Sequence, residues 1–448
     1  MASNRPDIRP HRLDKTVIDA NFGDLHPPLS RPEALVEADR CYFCFDAPCT
    51  AACPTGIDIP GFIQKIRSGN LRGSAQTILN ENIMGGMCAR VCPTEVLCEQ
   101  ACVRNTHEEK PVAIGLLQRY ATDPVFENGT QLFARAEPTG KTIAVIGGGP
   151  AGLSCAHRLA VLGHQVVVFH RDARLGGLNE YGIAAYKAVD GFAQKEIEYI
   201  LSIGGIAVKN GVRLGIDFVL EELRESYDAV FIGVGLGAVN ELGVGNELLG
   251  GVENAIDYIA DLRQAPDKST LPVGRNVVVV GGGMTAIDIA VQSKRLGAER
   301  VDIVYRRGPE QMGASPFEQG LARRSGVTIH HWVRPVCLLG DEHVQGLELE
   351  CTKMGRDGRL RSTGEKFTLE ADVVFKAIGQ RLDETRLGDE LGGVELRQGK
   401  IVVDESQATS LKGVWAGGDC VLGGDDLTVT AVQHGKLAAL AIDRSLRG

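Results

Sequence analysis

Two stretches of the chain share one pattern, in which an aliphatic run leads into a glycine turn and then into apolar positions at helical spacing. The first, KTIAVIGGGPAGLSCAHRLAVLGHQVVVFH, begins at Lys141, and the second, RNVVVVGGGMTAIDIAVQSKRLGAERVDIVYRR, begins at Arg275. Each closes with a second β-branched run, so each predicts a strand, a helix and a parallel strand. This repeated βαβ unit predicts two nucleotide-binding domains of the α/β class.

Residues 1–139 show little of this strand pattern. The segment IDIPGFIQKIRSGNLRGSAQTILNENI, residues 57–83, predicts two short amphipathic helices that break at Gly69–Asn70. We therefore expect a small helical domain ahead of the α/β part.

Composition and charge narrow the class of protein. A length of 448 residues predicts two to four domains, and 44% hydrophobic with 23% charged residues is ordinary for a globular protein. The net charge of −9, without a long basic stretch, argues against a nucleic-acid partner. The first residues lack the apolar core of a signal peptide, and no apolar run reaches the ~18 residues of a membrane span, so we expect a cytoplasmic protein without a membrane partner.

Eight of the twelve cysteines form two dense quartets. The first reads C-x2-C-x4-C-x3-C-P and the second C-x3-C-x5-C-x3-C; their members are Cys41, Cys44, Cys49, Cys53, Cys88, Cys92, Cys98 and Cys102. Only Cys41 and Cys44 have the spacing of a zinc knuckle. Pro54 after Cys53 is closer to ferredoxins, in which the last cysteine of a run can bind the other cluster. The quartets predict paired iron–sulfur clusters, with zinc sites and structural thiols as the alternatives.

The first glycine turn has the G-x-G-x-x-G spacing of a dinucleotide site at Gly147, Gly149 and Gly152. Such a turn places a pyrophosphate at a helix N-terminus. His170 stands where an acidic residue normally binds the ribose hydroxyls, and it can offer one hydrogen bond there. Near the C-terminus, VWAGGD ends at Asp419 and precedes a helix that begins near Leu427. That arrangement is typical of a flavin ribityl contact, with a capped turn as the alternative.

The second glycine turn comprises Gly281, Gly283 and Ala286, with alanine as an accepted third residue. Its second strand ends at Tyr305, followed by Arg306 and Arg307. Two guanidinium groups at this place suit the 2′-phosphate of NADP; the alternative is a solvated pair of arginines.

The predicted fold is an α-helical double [4Fe-4S] domain followed by two α/β dinucleotide-binding (Rossmann-like) domains, with the NAD(P) domain inserted in the FAD domain. The expected divisions are residues 1–139 for the iron–sulfur domain, 140–236 and 377–448 for the FAD domain, and 237–376 for the NAD(P) domain. The chain is expected to cross between the last two near Gly233–Gly237 and Ala377–Gly379.

From CYFCFDAPC through MCARVCPTEVLCEQAC and IGLLQRY to VWAGGD, nearly the whole chain resembles the N-terminal half of dihydropyrimidine dehydrogenase and the separate bacterial subunit of PreT type. It is also similar to the small subunit of glutamate synthase. The resemblance implies crossed cluster ligands, with Cys88 as a non-ligand. The implied first set is Cys41, Cys44, Cys49 and Cys102, and the implied second set is Cys53, Cys92, Cys98 and Gln118.

The resemblance also implies the contacts of the two dinucleotides. For FAD they are Gly147, Gly148, Gly149, Pro150, Ala151, Gly152, His170, Leu178, Lys187, Asp419 and Thr428. For NAD(P) they are Gly281, Gly283, Met284, Thr285, Ala286, Arg306, Arg307, Ala377, Ile378 and Gly379. Two positions depart from the dehydrogenase, because His170 replaces a glutamate and Lys187 an arginine.

The resulting expectation is an FAD and iron–sulfur oxidoreductase that oxidises NAD(P)H. It would pass electrons through two [4Fe-4S] clusters to an FMN-containing barrel subunit that reduces uracil or thymine, in an α2β2 complex. The dehydrogenase continues into an FMN-binding barrel of about 250 residues, whereas this sequence ends at Gly448, so the pyrimidine site is expected in the partner. No side chain of this chain is expected to act as a catalytic acid or base. The alternatives are a glutamate synthase small subunit and a zinc-stabilised, nucleotide-sensing regulatory protein.

Overall fold

The computed structural model describes residues 6–8, 12–383 and 391–448, which form two compact units. The nucleotide unit comprises the described residues up to Leu25, the segment Tyr181–Val189 and Val239–Gln380. The flavin unit comprises His26–Glu180, Asp190–Ala238 and Arg381–Gly448, and it includes the cysteine-rich region. None of the described helices combines the length and apolar character needed to cross a membrane.

The cysteine-rich region is helical, as its polar and apolar pattern predicts. After α1 (Lys15–Asn21), its helices are α2 (Arg31–Asp39), α3 (Pro48–Ala51), α4 (Ile59–Arg67), α5 (Leu71–Glu81), α6 (Gly85–Val91), α7 (Asn105–Glu108) and α8 (Ile114–Asn128). The predicted break between α4 and α5 is confirmed, because Gly69 has φ +77° and the side chain of Asn70 caps α5 by accepting the N–H of Gly73.

The first α/β part of the flavin unit follows directly. Its elements are β1 (Thr142–Ile146), α9 (Pro150–Val161), β2 (Gln165–His170), α10 (Leu178–Tyr181), α11 (Phe192–Leu201), β3 (Ile206–Asn210), α12 (Leu220–Ser226) and β4 (Ala229–Ile232). The strands belong to a parallel five-stranded sheet in which β1 lies between β2 and β4.

The nucleotide unit contains a second parallel sheet and a smaller antiparallel one. Its elements are β5 (Ala238–Val239), β6 (Val252–Asn254), α13 (Ala255–Gln264), β7 (Asn276–Val280), α14 (Met284–Leu296), β8 (Arg300–Tyr305), α15 (Pro316–Arg324), β9 (Thr328–His331), β10 (Val333–Leu339), β11 (Gly346–Met354), β12 (Leu360–Glu370), β13 (Val373–Lys376) and β14 (Gln380–Arg381), the first and last of which run across the unit boundaries. The parallel sheet has the order β6-β13-β7-β8-β9, and β10, β11 and β12 form the antiparallel sheet.

The C-terminal part returns to the flavin unit with β15 (Leu396–Arg397), β16 (Lys400–Ile401), β17 (Val414–Ala416) and α16 (Thr428–Arg447). Strand β17 adds to the edge of the first sheet beside β4, which gives the order β17-β4-β1-β2-β3. Helix α16 begins one residue after Leu427, where the sequence predicts a helix to begin.

The grouping of residues differs from the predicted division in two places. The chain leaves the flavin unit after Ala238 and returns at Arg381, close to the predicted divisions at 236/237 and 376/377. However, the residues up to Leu25 and the segment Tyr181–Val189 pack with the nucleotide unit. Apolar residues explain this grouping, since Ile18, Phe22 and Tyr186 are buried in the same core as α14.

Candidate functional site

Four thiols line one cavity in the cysteine-rich region. The cavity has about 380 Å³ of empty space, and Ile59, Ile63 and Ile114 form part of its wall. The thiols are those of Cys41, Cys44, Cys49 and Cys102. Thiolates are the ligands that hold iron–sulfur clusters, so four thiols around one cavity fit such a cluster by their donor type. No group of three or more His, Cys, Asp or Glu side chains in the described part of the chain is arranged to hold a metal ion.

Burial opposes the thiolate form at two cysteines of this first set. Burial raises the pKa of Cys41, and it raises the pKa of Cys49 to about 11. The N–H of Phe43 donates to Cys41 Sγ at 3.4 Å, which favours the thiolate. Bound iron requires thiolates, so the positive charge of the metal would have to overcome the cost of burial.

The second predicted set is partly buried. Cys98 and Gln118 are buried, whereas Cys53 and Cys92 are partly exposed, like the four thiols of the first set. Burial raises the pKa of Cys92 and Cys98, and the nearby thiol of Cys53 adds to both shifts. Gln118 lies on α8, and its Nε2 donates to the carbonyl oxygen of Gly85 at 2.6 Å. Both sets of ligands remain predictions, and the donor types present fit iron–sulfur clusters.

Cys88 and Glu196 are two further buried titratable groups of the flavin unit. Burial raises the pKa of Cys88, and the nearby side chain of Asn82 opposes part of that shift. Glu196 lies on α11, and its Oε1 accepts the N–H groups of Gly86 and Met87 at 2.9 and 3.0 Å. Burial raises the pKa of Glu196 to about 8. Sequence reasoning missed Glu196, although a carboxylate on the apolar face of FAQKEIEYIL was a visible signal.

The first glycine turn follows β1 and ends at α9. Gly147 has φ +103°, and a Cβ there would lie 2.2 Å from the carbonyl oxygen of Gly233. At Gly152 a Cβ would lie 1.9 Å from the carbonyl oxygen of Gly147, so only glycine allows this turn. Gly149 is the N-cap of α9, Pro150 and Ala151 form its first turn, and the N–H groups there face no capping side chain. This is the geometry of a pyrophosphate site.

His170 does not take the place of the missing acid. Its Nδ1 accepts the N–H of Gly148 at 3.1 Å, and its Nε2 donates to the carbonyl oxygen of Arg174 at 2.8 Å. Burial lowers the pKa of His170, so the imidazole is neutral. Leu178 lies beyond the Gly176–Gly177 turn and is exposed, while the N–H of Gly176 donates to Gly148 at 2.7 Å.

The C-terminal part of the flavin site combines the turn after β17 with the start of α16. The N–H of Gly418 donates to His434 Nδ1 at 3.1 Å, and the hydroxyl of Thr428 donates to Asn179 Oδ1 at 2.7 Å. Burial raises the pKa of Asp419 to about 6. The buried Oε1 of Gln433, on α16, has no hydrogen-bond partner among the described residues, and an orphaned acceptor on this helix fits a bound group such as FAD.

The second glycine turn repeats this geometry in the nucleotide unit. Gly281 has φ +151°, and a Cβ there would lie 2.1 Å from the carbonyl oxygen of Ala377. Gly283 is the N-cap of α14, and apart from its chain neighbours no described residue has an atom within 4 Å of the place that its Cβ would occupy. The structure therefore brings the turn together with the strand end of β13; the predicted residues at this place are Met284, Thr285, Ala286, Ala377, Ile378 and Gly379.

Arg306 and Arg307 follow β8, and both are exposed. Their carbonyl oxygens accept from Thr352 Oγ1 at 2.8 Å and from the N–H of Trp332 at 3.0 Å, so the backbone is fixed. Within the described ranges neither guanidinium group pairs with a carboxylate, which suits the predicted phosphate contact.

Lys187 belongs to the nucleotide unit, although the resemblance implies an FAD contact for it. Its Nζ is 2.7 Å from both Asp288 Oδ1 and Glu318 Oε1. Burial alone would lower the pKa of Lys187, but the two carboxylates outweigh it and the pKa lies above its usual value. Within its own unit, the ammonium group is therefore charged and paired, and the flavin contact stays a prediction.

Two family models match the chain. Residues 18–130 match dihydropyrimidine dehydrogenase domain II, 4Fe-4S cluster. Residues 141–435 match the pyridine nucleotide-disulphide oxidoreductase family, over more than half of the chain. The chain belongs to the pyridine nucleotide-disulphide oxidoreductase family. This oxidoreductase carries the [4Fe-4S] domain at its N-terminal side, and the match favours clusters over the zinc alternative.

Three curated relatives are similar over most of this oxidoreductase. The glutamate synthase [NADPH] small chain of Escherichia coli K12 is 35% identical, with 97% of this chain and 95% of the relative covered. The NAD-dependent dihydropyrimidine dehydrogenase subunit PreT of E. coli O157:H7 is 34% identical, with 95% and 97% covered. The NADP(+)-dependent formate dehydrogenase subunit beta of Moorella thermoacetica is 36% identical over 90% of this chain, which spans only 60% of that relative.

A solved structure supports the fold of the α/β part. Mycobacterium tuberculosis FprA in complex with NADPH has a TM-score of 0.59 at 19% identity, with 69% of this chain and 85% of that chain covered. The comparisons confirm the predicted resemblance, the fold class and the cofactors, which are FAD, [4Fe-4S] clusters and NAD(P)H. This oxidoreductase is an NAD(P)H-dependent electron-transfer subunit.

Proposed function

We propose that the chain is the electron-input subunit of a dihydropyrimidine dehydrogenase. It would oxidise NAD(P)H and supply electrons, through the two implied clusters, to an FMN-containing partner subunit that reduces uracil or thymine. The observation that carries this proposal is the crossed grouping of thiols, since Cys102 shares a cavity with Cys41, Cys44 and Cys49. The resemblance to that dehydrogenase implies this grouping, whereas a simple reading of the two quartets does not.

The residues of the chain would bind and orient the two dinucleotides. The free N–H groups at the start of α9 and α14 suit the two pyrophosphates. The N-terminal end of α16 carries a partial positive charge, and no acidic residue in its first turn cancels it. A bound FAD would supply hydride chemistry with the nicotinamide, and bound clusters would supply one-electron transfer.

Burial supports the order in which the two sets of thiols would act. Cys98 and Gln118 are buried in the flavin unit, and Glu196 of α11 caps the start of α6 beside them. Cys41 and Cys102 are partly exposed. We therefore propose that electrons leave the chain from the first set.

The partner is decided by an assay with purified subunits. The chain, with its clusters assembled anaerobically, is mixed with an FMN-barrel dehydrogenase subunit from the same organism, and NAD(P)H oxidation is followed with uracil. We expect uracil-dependent turnover from the mixture only, and a mass that corresponds to α2β2. Uracil reduction by the chain alone would contradict the division of labour.

A glutamate synthase small subunit is the second candidate. The chain is 35% identical in sequence to that relative and 34% identical to the PreT subunit, so sequence identity does not favour either one. The same assay distinguishes the two when the large subunit of a glutamate synthase replaces the barrel subunit. Turnover that depends on glutamine and 2-oxoglutarate, without turnover on uracil, would overturn our first proposal.

Coenzyme preference provides a further test of the proposed site. Replacing Arg306 and Arg307 together with alanine should raise the KM for NADPH about tenfold to hundredfold, because two charge-assisted bonds to a phosphate are lost. The KM for NADH should change little. An unchanged NADPH/NADH ratio would show that the arginines are a solvated pair.

We also propose a cytoplasmic location, since the twelve cysteines are free thiols in the structure.

A further inference from the structure

The position that normally recognises the adenosine ribose of FAD is already fully engaged with the protein itself. His170 ends β2, and its two ring nitrogens bind the N–H of Gly148 and the carbonyl oxygen of Arg174 at 3.1 and 2.8 Å. A carbonyl oxygen can only accept, so the hydrogen is on Nε2 and Nδ1 is the acceptor. Neither nitrogen is left to bind a ribose hydroxyl.

These two bonds make His170 a brace for the glycine turn. Its ring lies against Gly148, where an added Cβ would be 3.2 Å from His170 Cγ and 2.2 Å from Leu175 Cδ2. The side chain is 5% exposed, so water does not compete for the two bonds. The imidazole therefore holds the turn in the shape that a pyrophosphate requires, while an acidic residue at this place would face the carbonyl oxygen of Arg174 unfavourably.

Asp172 is the only acidic residue between β2 and the Gly176–Gly177 turn. Its Oδ2 lies 3.7 Å from His170 Nε2 and accepts from Arg171 Nε at 3.2 Å. Oδ1 has no hydrogen-bond partner among the described residues, and the side chain is 32% exposed, so a ligand can reach it. The ribose hydroxyls of a dinucleotide usually donate hydrogen bonds to a carboxylate at the end of the second strand, which is the position of His170 here. Asp172, two residues further on, offers a carboxylate oxygen that can accept these hydrogen bonds.

We propose that Asp172 binds the ribose hydroxyls of the adenosine half of FAD, and that His170 only positions the glycine turn. The ribose contact lies two residues after the usual position because both ring nitrogens of His170 bind the backbone of Gly148 and Arg174. The proposal concerns flavin binding by this chain alone, so its test is independent of which partner accepts the electrons.

The test compares two flavins on the full chain after removal of bound flavin. FAD and its analogue without the 2′-hydroxyl of the adenosine ribose are titrated by quenching of flavin fluorescence. The unmodified chain should bind the analogue about tenfold or more weakly. Asp172→Ala should bind FAD about tenfold to hundredfold more weakly than the unmodified chain, because a hydrogen bond to a charged group is lost. It should no longer distinguish the two flavins.

Two further variants keep the test decisive. Glu225→Ala removes an exposed carboxylate from α12 of the same unit and should leave both affinities unchanged. His170→Gln should weaken both flavins together and preserve the discrimination, because the brace is damaged and the ribose contact is not. The proposal is overturned if Asp172→Ala still discriminates between the flavins, or if His170→Gln loses the discrimination. Retained iron content in each variant checks that the chain is folded.

Discussion

Replacing Gly435 with alanine should force apart the two helices that frame the flavin site. An added Cβ would lie 2.1 Å from the carbonyl oxygen of Ala151 and 2.9 Å from the backbone nitrogen of Cys155, both on α9. Ser154 Oγ donates to the carbonyl oxygen of Val432 at 2.7 Å, which shows that α9 and α16 approach closely along this line. Backbone atoms inside a helix cannot rotate away, so the helices themselves must separate.

The expected cost follows from two opposing effects. Overpacking a well-packed core costs about 1–3 kcal/mol, and a clash with backbone places Gly435→Ala near 3 kcal/mol. Alanine gains about 1 kcal/mol over glycine in a helix interior. The net destabilisation is about 2 kcal/mol, which corresponds to a fall in Tm of roughly 4–8 °C for a unit of this size. Flavin affinity should also fall, since the first turns of both helices lie at the flavin site.

Release of flavin fluorescence on heating measures this effect, because the signal reports the flavin unit. Gly320→Ala on α15 is the control, since its added Cβ meets only the flexible end of Arg324, with Nη1 at 3.0 Å. That variant should keep the Tm or raise it slightly. A Gly435→Ala protein that melts at or above the unmodified chain would refute the reasoning about the helix contact.

Three other experiments give separate checks. Burial raises the pKa of Asp419 to about 6. The flavin-free folded chain therefore binds more protons than the unfolded chain between about pH 4 and 6, and it loses stability as pH rises through that window. Asp419→Asn should remove this loss, on the order of 3 kcal/mol at pH 7, in thermal unfolding at several pH values. Lys187→Met leaves two buried carboxylates without their cation and should cost about 3–5 kcal/mol in denaturant unfolding. Lys15→Met is the control, since it removes an exposed ion pair and should leave the unfolding midpoint unchanged. Cys102→Ser should lower the iron bound per chain and Cys88→Ala should not, and loss of iron from the Cys88 variant would contradict the ligand sets.

The sequence predicted both glycine turns because their requirements are local. Gly147 and Gly281 have positive φ values of +103° and +151°, and a side chain at either would strike the end of a neighbouring strand within 2.2 Å. The strand before each turn and the helix after it follow from apolar spacing within some thirty residues. The strand and the helix can therefore be predicted without a distant part of the chain, although the atoms that exclude a side chain from each turn, in Gly233 and Ala377, lie far along the sequence.

The parts that escaped prediction depend on distant partners. Spacing alone could not join Cys102 to Cys41, and only the resemblance implied it. The inward hydrogen bonds of His170 depend on the path of the loop to Arg174. The carboxylates around Lys187 lie about 100 and 130 positions further along, so no local pattern reveals that its ammonium is neutralised within the nucleotide unit.

The segment Tyr181–Val189 has a consequence for domain engineering. The N–H groups of Ala184 and Ala185 donate to Asp288 Oδ2 and Gln292 Oε1 at 3.1 and 2.9 Å, on the helix that follows the second glycine turn. If only residues 239–380 were replaced by those of a relative with another coenzyme, the new helix would lose these two hydrogen bonds unless the segment Tyr181–Val189 matched it. A working chimera must exchange all three segments of the nucleotide unit, which are the residues up to Leu25, Tyr181–Val189 and Val239–Gln380. Exchanging one continuous segment is therefore not enough to change the coenzyme in this protein.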